Sequence, residues 1–232
     1  MDLQISGKRA LVTGGSKGIG KAVAEVLAAE GCDLILVARD ARALEDTAQA
    51  IRAKNQVTVQ VIAADLSSDA AVKSVTAQVG EIDILVNNAG AIPPGTLAEV
   101  DDATWRKAWD LKVYGFISMC RELYPAMAAR KSGVIVNIIG HAGESHPPGY
   151  IAGAAGNAAL MGFTKALAHG AHADGIRVVG INPGAILTER AIMLARTKAE
   201  AQFGDAERWR DLHKSLPFGR AGLPEEVAHT VA

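Results

Sequence analysis

Short apolar runs alternate with helix-like stretches from one end of the chain to the other, and this alternation constrains the fold more than any other feature. The runs are rich in Val, Ile and Leu and are apolar throughout, which is typical of strands buried on both faces of a parallel sheet. Helices that connect such strands by right-handed crossovers cover both faces, so we predict a doubly wound α/β fold with three layers, α/β/α. The predicted strands are residues 9–14, 33–38, 57–65, 83–90, 133–139 and 177–184, and the clearest helices are residues 18–30, 41–54 and 102–130.

No composition break, repeat or low-complexity linker interrupts this alternation, so we expect residues 1–232 to form one domain. The segment at about residues 188–216 departs from it, because it is helical, mixed in polarity and follows the carboxyl end of a strand. Ligands bind at those strand ends in doubly wound sheets, which favours a substrate lid over an ordinary pair of surface helices. Apolar residues at 191–195 in this segment favour an apolar substrate.

The overall charge gives no electrostatic reason for binding nucleic acid or an anionic membrane, since 24 Lys and Arg stand against 25 Asp and Glu. No apolar run approaches the roughly 20 residues that span a bilayer, and the N-terminus lacks the pattern of a signal peptide. The two cysteines, Cys32 and Cys120, indicate neither a disulfide framework nor a metal site, and we expect both in the core. We therefore predict a cytoplasmic protein that contains no metal and acts on a small-molecule substrate.

The stretch "TGGSKGIG" (13–20) follows the first predicted strand directly and opens a helix. Its glycines allow a sharp turn and a close approach of a pyrophosphate, which then lies on the helix N-terminus. A glycine cluster is specific only in this strand–turn–helix context, which is present here, and the sequence therefore predicts a dinucleotide-binding Rossmann fold. The predicted contacts from this turn are Gly14, Ser16, Lys17, Gly18, Ile19 and Gly20.

The second predicted strand ends in "VARD", where such folds discriminate between the two nicotinamide dinucleotides. A carboxylate there accepts hydrogen bonds from the ribose 2′-hydroxyl, whereas a cation pairs with a 2′-phosphate. Arg39 offers the cation, Lys17 can add a second one, and Ala38 leaves room. Asp40 is the opposing signal, but it follows the arginine and can point outward. NADP(H) is favoured and NAD(H) remains open, as does the alternative that Arg39 is only a solvated surface charge.

Four motifs occur in order along the chain: "TGGSKGIG" (13–20), "AADL" (63–66), "NNAG" (87–90) and "INPG" (181–184). With them, the chain resembles the classical short-chain dehydrogenase/reductase family over nearly its whole length. The resemblance implies an NAD(P)(H)-dependent oxidoreductase, a homodimeric or homotetrameric assembly, and a last strand beyond Ala232. It also implies further cofactor contacts from Asp65, Leu66, Asn88, Ala89, Gly90, Ile138, Pro183, Gly184, Ile186 and Thr188.

The same resemblance locates the four catalytic positions, which carry Asn, Ser, Tyr and Lys in this family. The stretch "VNIIG" (136–140) places the Ser position at Gly140, and the spacing from it places the Tyr and Lys positions at Gly153 and Asn157. The stretch "KVYGF" places the Asn position at Lys112. The resemblance therefore implies a divergent member that lacks all four catalytic residues.

Lys112 and Asn157 look like an exchange of the family's amide and ammonium across one proton relay. Our hypothesis is that Lys112 restores the positive charge near the nicotinamide ribose and that Asn157 hydrogen-bonds the ribose. The alternative is that Lys112 is a surface residue on an amphipathic helix. Since pattern does not distinguish these two, both remain open at this stage.

A replacement acid or base is then needed, and the segment "GHAGESHPPGY" (140–150) supplies two candidates. His141 lies beside the empty Ser position and has a pKa suited to proton transfer at neutral pH. Tyr150 lies about one helical turn before Gly153, which would leave room for its side chain. The alternatives are a solvated loop histidine and a tyrosine that packs against the lid.

Two functions remain open on these residues. The first is an NADP(H)-dependent oxidoreductase that acts on a carbonyl or alcohol through a non-standard proton relay, with the cofactor carrying the hydride. The second is a catalytically inactive NADP(H)-binding sensor, or an oligomer partner of an active relative. A non-redox reaction such as dehydration has no residue in its favour.

Overall fold

A computed structural model, which describes residues 2–232, confirms the doubly wound parallel sheet. Six parallel strands lie in the order β3-β2-β1-β4-β5-β6, so the sheet grows outward from β1 on one side and from β4 on the other. Ligands bind at such a switch point, outside the carboxyl ends of the strands. The strands are β1 (Arg9–Thr13), β2 (Asp33–Ala38), β3 (Val59–Ala63), β4 (Ile84–Asn87), β5 (Gly133–Ile138) and β6 (Ile176–Ile181).

Helices connect the strands and cover both faces of the sheet. The α-helices are α1 (Gly18–Ala29), α2 (Ala41–Arg52), α3 (Asp69–Val79), α4 (Asp102–Trp109), α5 (Gly115–Arg130), α6 (Ala142–Ser145), α7 (Ile151–Ala171), α8 (Glu189–Phe203) and α9 (Pro224–Val231). No helix among residues 2–232 is long and apolar enough to cross a membrane.

The core forms two layers, one on each face of the sheet. Neighbouring residues of one strand point to opposite layers: Val12 and Leu36 pack with α1, α2 and α9, whereas Leu11 and Ile35 pack with α3 and α5. All four side chains are almost completely buried, which explains why the strand sequences are apolar throughout. Both cysteines are free and buried in these layers, as predicted.

The predicted helix at 102–130 is confirmed, since the chain is helical from Asp102 to Arg130, but it contains one irregular turn. A π-helical turn at Asp110–Tyr114 separates α4 from α5. Such a turn inserts an extra residue into the helix and turns its side chains by one position. Lys112 lies in this turn, so the π-helical geometry decides where its side chain points. The strands predicted at 57–65, 83–90 and 177–184 also end earlier, since their last residues already belong to the loops at the sheet edge.

The segment at 188–216 is helical, as predicted, and both of its ends are tied to the same place. It contains α8 and a 3₁₀ helix at Ala206–His213. Backbone hydrogen bonds hold the two ends together: Gly222 N–H donates to the carbonyl oxygen of Ala185 (2.9 Å), and Leu187 N–H donates to that of Gly222 (2.8 Å). The segment therefore forms a loop that closes on itself above the carboxyl end of β6. Its role as a lid stays a prediction.

Two left-handed glycines provide a test of the backbone packing. Gly175 (φ +71°) and Gly204 (φ +67°) both end helices, and a side chain at either position costs about 1–2 kcal/mol of strain. A Cβ at Gly175 would also overlap the Lys131 carbonyl oxygen, whereas a Cβ at Gly204 meets nothing within 4 Å. We expect Gly175→Ala to lower the free energy of unfolding by about 2 kcal/mol more than Gly204→Ala in urea titrations. Equal losses would contradict the packing at Lys131.

Candidate active site

A cleft of about 940 Å³ opens at the carboxyl ends of β1, β4, β5 and β6, at the switch point of the sheet. This volume is at the upper end of the range for cofactor and small-molecule sites. The cleft is lined by all four predicted catalytic residues, Lys112, His141, Tyr150 and Asn157. It is also lined by the predicted cofactor residues Gly14, Lys17, Gly18, Ile19, Asn88, Ala89, Gly90, Ile138, Pro183, Gly184, Ile186 and Thr188.

Five predicted cofactor residues do not line this cleft: Ser16, Gly20, Arg39, Asp65 and Leu66. Leu66 is buried, the Asp65 carboxylate accepts the N–H of Ser67 (3.1 Å), and the Ser16 carbonyl accepts the hydroxyl of Thr47 (3.2 Å). Gly20 lies inside α1, where a Cβ would overlap the Gly14 carbonyl oxygen. Gly20 thus shapes the turn, and direct cofactor contacts from these five residues stay predictions.

The glycine turn is held against β4 by a residue that the sequence reasoning did not single out, Thr13. Its hydroxyl oxygen accepts the backbone N–H groups of Asn88 (2.9 Å) and Ala89 (3.0 Å). The Asn88 side-chain amide donates in return to the Thr13 carbonyl oxygen (3.0 Å). A Cβ at Gly14 would lie 2.7 Å from that amide nitrogen, so the turn has room only for glycine. In the sequence, this role of Thr13 is indicated by its position directly before the glycines of "TGGSKGIG".

Three charged residues lie near the end of β2: Arg39, Asp40 and Lys17 of the glycine turn. The Asp40 carboxylate caps α2 by accepting the N–H of Ala43 (3.0 Å), and it lies 3.9 Å from the Lys17 ammonium. The Asp40 carboxylate is therefore oriented by the start of α2, and it remains largely exposed. Arg39 is exposed and forms no ion pair within residues 2–232. Arg39 is thus the cation at this place without a carboxylate partner among residues 2–232, whereas Lys17 is paired with Asp40.

Lys112 is buried on the floor of the cleft, with 8% of its surface exposed. Its Nζ donates to the Ile138 carbonyl oxygen (2.6 Å) and lies 4.4 Å from the centre of the Phe116 ring. Its methylene chain fills the space beside Gly90, where a Cβ would overlap it. The alternative that Lys112 is a surface residue is wrong. Burial lowers the pKa of Lys112 to about 7, because the ammonium loses its hydration.

Neighbouring side chains occupy the space that Gly140 and Gly153 leave free. A Cβ at Gly140 would lie 2.7 Å from Nδ2 of the buried Asn157 amide. A Cβ at Gly153 would overlap carbons of the Tyr150 ring, including the one that bears the hydroxyl. The amide of Asn157 and the phenol of Tyr150 are therefore brought to the two positions that the sequence leaves empty.

Tyr150 is half-buried and begins α7. Backbone hydrogen bonds on either side hold it, from Gly95 N–H to the Gly149 carbonyl (2.7 Å) and from Ile151 N–H to the Gly95 carbonyl (3.2 Å). The ring packs against a small apolar cluster that contains Ile92. Tyr150 also lines the cleft together with Arg190 of α8, so the alternative that it packs against the lid stays open. Burial raises the pKa of Tyr150, and the nearby Arg190 partly opposes the rise. The phenol is therefore protonated at neutral pH.

His141 lies at the rim of the cleft rather than on its floor, and its side chain is 55% exposed. Its Nδ1 is 3.5 Å from a Glu144 carboxylate oxygen, whose other oxygen accepts the Asn182 side-chain amide (3.1 Å). The backbone N–H of His141 donates to the Pro183 carbonyl (2.9 Å). The His141 side chain is thus open to solvent at the mouth of the cleft. Within residues 2–232 no three His, Cys, Asp or Glu side chains come together as a metal site requires.

The sheet order and the cleft over a glycine turn define a dinucleotide-binding protein of the Rossmann type. Residues 8–199 match the model of the short chain dehydrogenase family. The chain therefore belongs to the short-chain dehydrogenase/reductase family, a family of NAD(P)-dependent oxidoreductases.

Curated relatives and solved structures are similar over almost the whole chain. The chain is 32% identical to Dehydrogenase/reductase SDR family member 4 of Caenorhabditis elegans, covering 99% of this chain and 88% of that protein. It is 32% identical to the 3-oxoacyl-[acyl-carrier-protein] reductase FabG of Chlamydia muridarum, covering 98% and 90%. The crystal structure of L-sorbose reductase from Gluconobacter frateurii, complexed with NADPH and L-sorbose, has a TM-score of 0.92 and 37% identity, covering 99% and 90%.

The burial of Lys112 predicts an unusual dependence of stability on pH. Its pKa is about 7 in the folded chain against 10.5 for the free group, so between these values the unfolded chain binds more protons. The resulting penalty is fully present below about pH 7 and disappears towards pH 10.5. We expect Lys112→Met to raise the free energy of unfolding at pH 7 by on the order of 3 kcal/mol, with the gain shrinking towards pH 10. Chemical denaturation across this pH range measures it, and a pH-independent difference would contradict the burial.

Proposed function

We propose that this chain is an NADP(H)-dependent oxidoreductase that interconverts a carbonyl and an alcohol on a small molecule. In this proposal it lacks the Asn, Ser, Tyr and Lys of its family and uses a relay built from Lys112, Asn157 and Tyr150. The observation that carries the proposal is the Lys112 amine, which is buried under the cleft and held on the Ile138 carbonyl oxygen. Burying a lysine is costly and an inert cleft gains nothing from it, so its place under the cleft supports a chemical role.

The residues present fit a bound dinucleotide phosphate. Gly14 and Gly20 keep side chains out of the turn in front of α1, whose N-terminal N–H groups suit a pyrophosphate. Arg39 and Lys17 supply the cations for a 2′-phosphate, and the NADPH in the sorbose reductase complex supports the same preference. When bound, the nicotinamide supplies or accepts the hydride.

The chain itself must then move one proton to or from the substrate oxygen. Lys112 suits this task, since a pKa of about 7 leaves both of its forms populated at neutral pH. In the reducing direction the ammonium donates a proton and becomes the neutral amine; in the oxidising direction the amine accepts one. The hydrogen bond to Ile138 uses one N–H and fixes the direction of the others.

Asn157 and Tyr150 connect Lys112 to the substrate in this proposal. The Asn157 amide lies where a side chain at Gly140 would be, so it can donate a hydrogen bond to the substrate oxygen or to the ribose. The Tyr150 hydroxyl is protonated and has no partner among residues 2–232, so it can donate and accept in turn. His141 exchanges the proton with solvent at the rim.

The second candidate is a catalytically inactive NADP(H)-binding sensor or oligomer partner. The packing of the Tyr150 ring into an apolar cluster favours it, since a tyrosine held there for packing need not reach the substrate. Turnover separates the two: consumption of NADPH with any carbonyl compound favours the oxidoreductase, whereas tight NADPH binding without turnover on a broad panel favours the sensor. The homodimeric or homotetrameric assembly and the cytoplasmic location stay predictions.

The pH dependence of turnover tests the role of Lys112. Because the ammonium is the donor, kcat for reduction by NADPH should fall as the pH rises through about 7, and kcat for oxidation should rise over the same range. Lys112→Met should lower kcat by about 10²- to 10⁴-fold and remove this titration from the profile. The exposed Lys107→Met in α4 is the matched control. If the profile of kcat against pH kept its inflection near pH 7 in Lys112→Met, the proposed role of Lys112 in proton transfer would be wrong.

Cofactor titration tests the role of Arg39. A charge-assisted hydrogen bond contributes about 1.5–3 kcal/mol, so Arg39→Ala should raise the Kd for NADPH by about 10- to 100-fold and leave that for NADH nearly unchanged. Nucleotide fluorescence measures both constants. Arg42→Ala, another exposed arginine at the start of α2, should change neither. If Arg39→Ala weakens both nucleotides equally, Arg39 does not bind a 2′-phosphate.

A further inference from the structure

A second cavity lies on the helical segment that closes over the cleft. It is a groove of about 900 Å³ along one side of α8. Its lining residues recur every three or four positions along the helix, which places them on one face. The apolar lining residues are Ile192, Met193, Ala201 and Ala206, Thr197 is a small polar one, and Glu189, Arg196 and Glu200 are charged.

The groove opens directly from the cleft. Glu189 and Met193 line both cavities, and Met193 is 60% exposed between them. Since the cleft must hold a dinucleotide and the reacting end of the substrate, a larger substrate has to leave it. Met193 gives this connection an apolar side, beside the carboxylate of Glu189. A contiguous patch of exposed apolar surface often marks a binding site.

The shape and charge of the groove select a slender, uncharged occupant. Beyond Met193 its floor is made of small side chains, Thr197, Ala201 and Ala206. Arg196, which lines the groove, is paired with Glu207 (3.3 Å), and the carboxylates of Glu189 and Glu200 line it too, so the charges around the groove disfavour an anion. From Met193 to Ala201 the helix rises about 12 Å, which an extended chain of about ten carbons covers.

We propose that this groove, lined by Ile192, Met193, Thr197, Ala201 and Ala206, binds the unbranched aliphatic tail of a carbonyl substrate. The reacting carbonyl then lies in the cleft near Lys112, and the tail runs out along α8. The substrate class is therefore a medium-chain aliphatic ketone or aldehyde rather than a small polyol. This inference rests on the proposed function, whose cleft the groove extends.

A homologous series of methyl ketones, from 2-butanone to 2-undecanone with NADPH, tests the groove. Each added methylene that becomes buried should raise kcat/KM by about three- to fourfold, until the groove is filled. Ala201→Trp fills the groove and should flatten this chain-length dependence. Gln202→Trp is the matched control, since it places the same side chain on the next, exposed residue of α8 outside the groove, and it should keep the wild-type dependence. Ala206→Leu is a milder second block.

Binding of the same ketones to the NADP⁺-loaded protein, measured by calorimetry, gives a readout that does not need turnover. If no ketone is reduced but affinity still rises with chain length and falls in Ala201→Trp, the proposed function fails and the groove stands. The proposed groove is wrong if the wild-type protein shows no chain-length dependence. It is also wrong if Ala201→Trp and Ala206→Leu show the same chain-length dependence as the wild type. A change of sedimenting mass in Ala201→Trp, with no change in chain-length dependence, would assign this face to a contact between two copies instead.

Discussion

The hydrogen bonds between Thr13 and the loop after β4 are the interaction on which the rest of the site depends. They join the ends of β1 and β4 at the point where the sheet changes its direction of growth. The glycine turn starts one residue later, and Asn88 fills the space that a side chain there would need. The glycine turn and the switch point are thus joined directly, and the floor of the cleft adjoins them at Gly90, beside the Lys112 side chain.

The burial of Lys112 on the floor of the cleft lowers the stability of the folded chain and shifts the pKa of its amine towards neutral pH. A lysine in an almost dry position destabilises the folded chain at neutral pH, because its ammonium loses hydration that one carbonyl oxygen only partly replaces. The same burial brings its pKa to the range in which it can both donate and accept a proton. Buried, perturbed titratable groups of this kind cluster at functional sites. The packing of Asn157 and Tyr150 into the spaces beside Gly140 and Gly153 gives the cleft two further hydrogen-bonding groups.

Sequence reasoning predicted the six strands, the glycine turn and the residues around it, because each of these rests on local pattern. It placed the strand ends too late at 57–65, 83–90 and 177–184, since periodicity does not show where a strand gives way to a loop. It also predicted the helix at 102–130, but not the π-helical turn within it at Asp110–Tyr114. The groove along α8 was not predicted at all, because a cavity requires knowing which helix face stays uncovered.

The amino-acid sequence alone determined the parallel sheet, the dinucleotide turn and the identity of the residues at positions 112, 140, 153 and 157. These follow from the alternation of apolar runs, from the freedom of glycine and from spacing along the chain. Only the tertiary structure decided that Lys112 is buried, that Asp40 is engaged by a helix cap, and that Tyr150 lies over Gly153. The loss of hydration of a buried group and the steric overlap beside a glycine both depend on residues that the fold brings together, such as Lys112 and Ile138. No local sequence pattern carries that information.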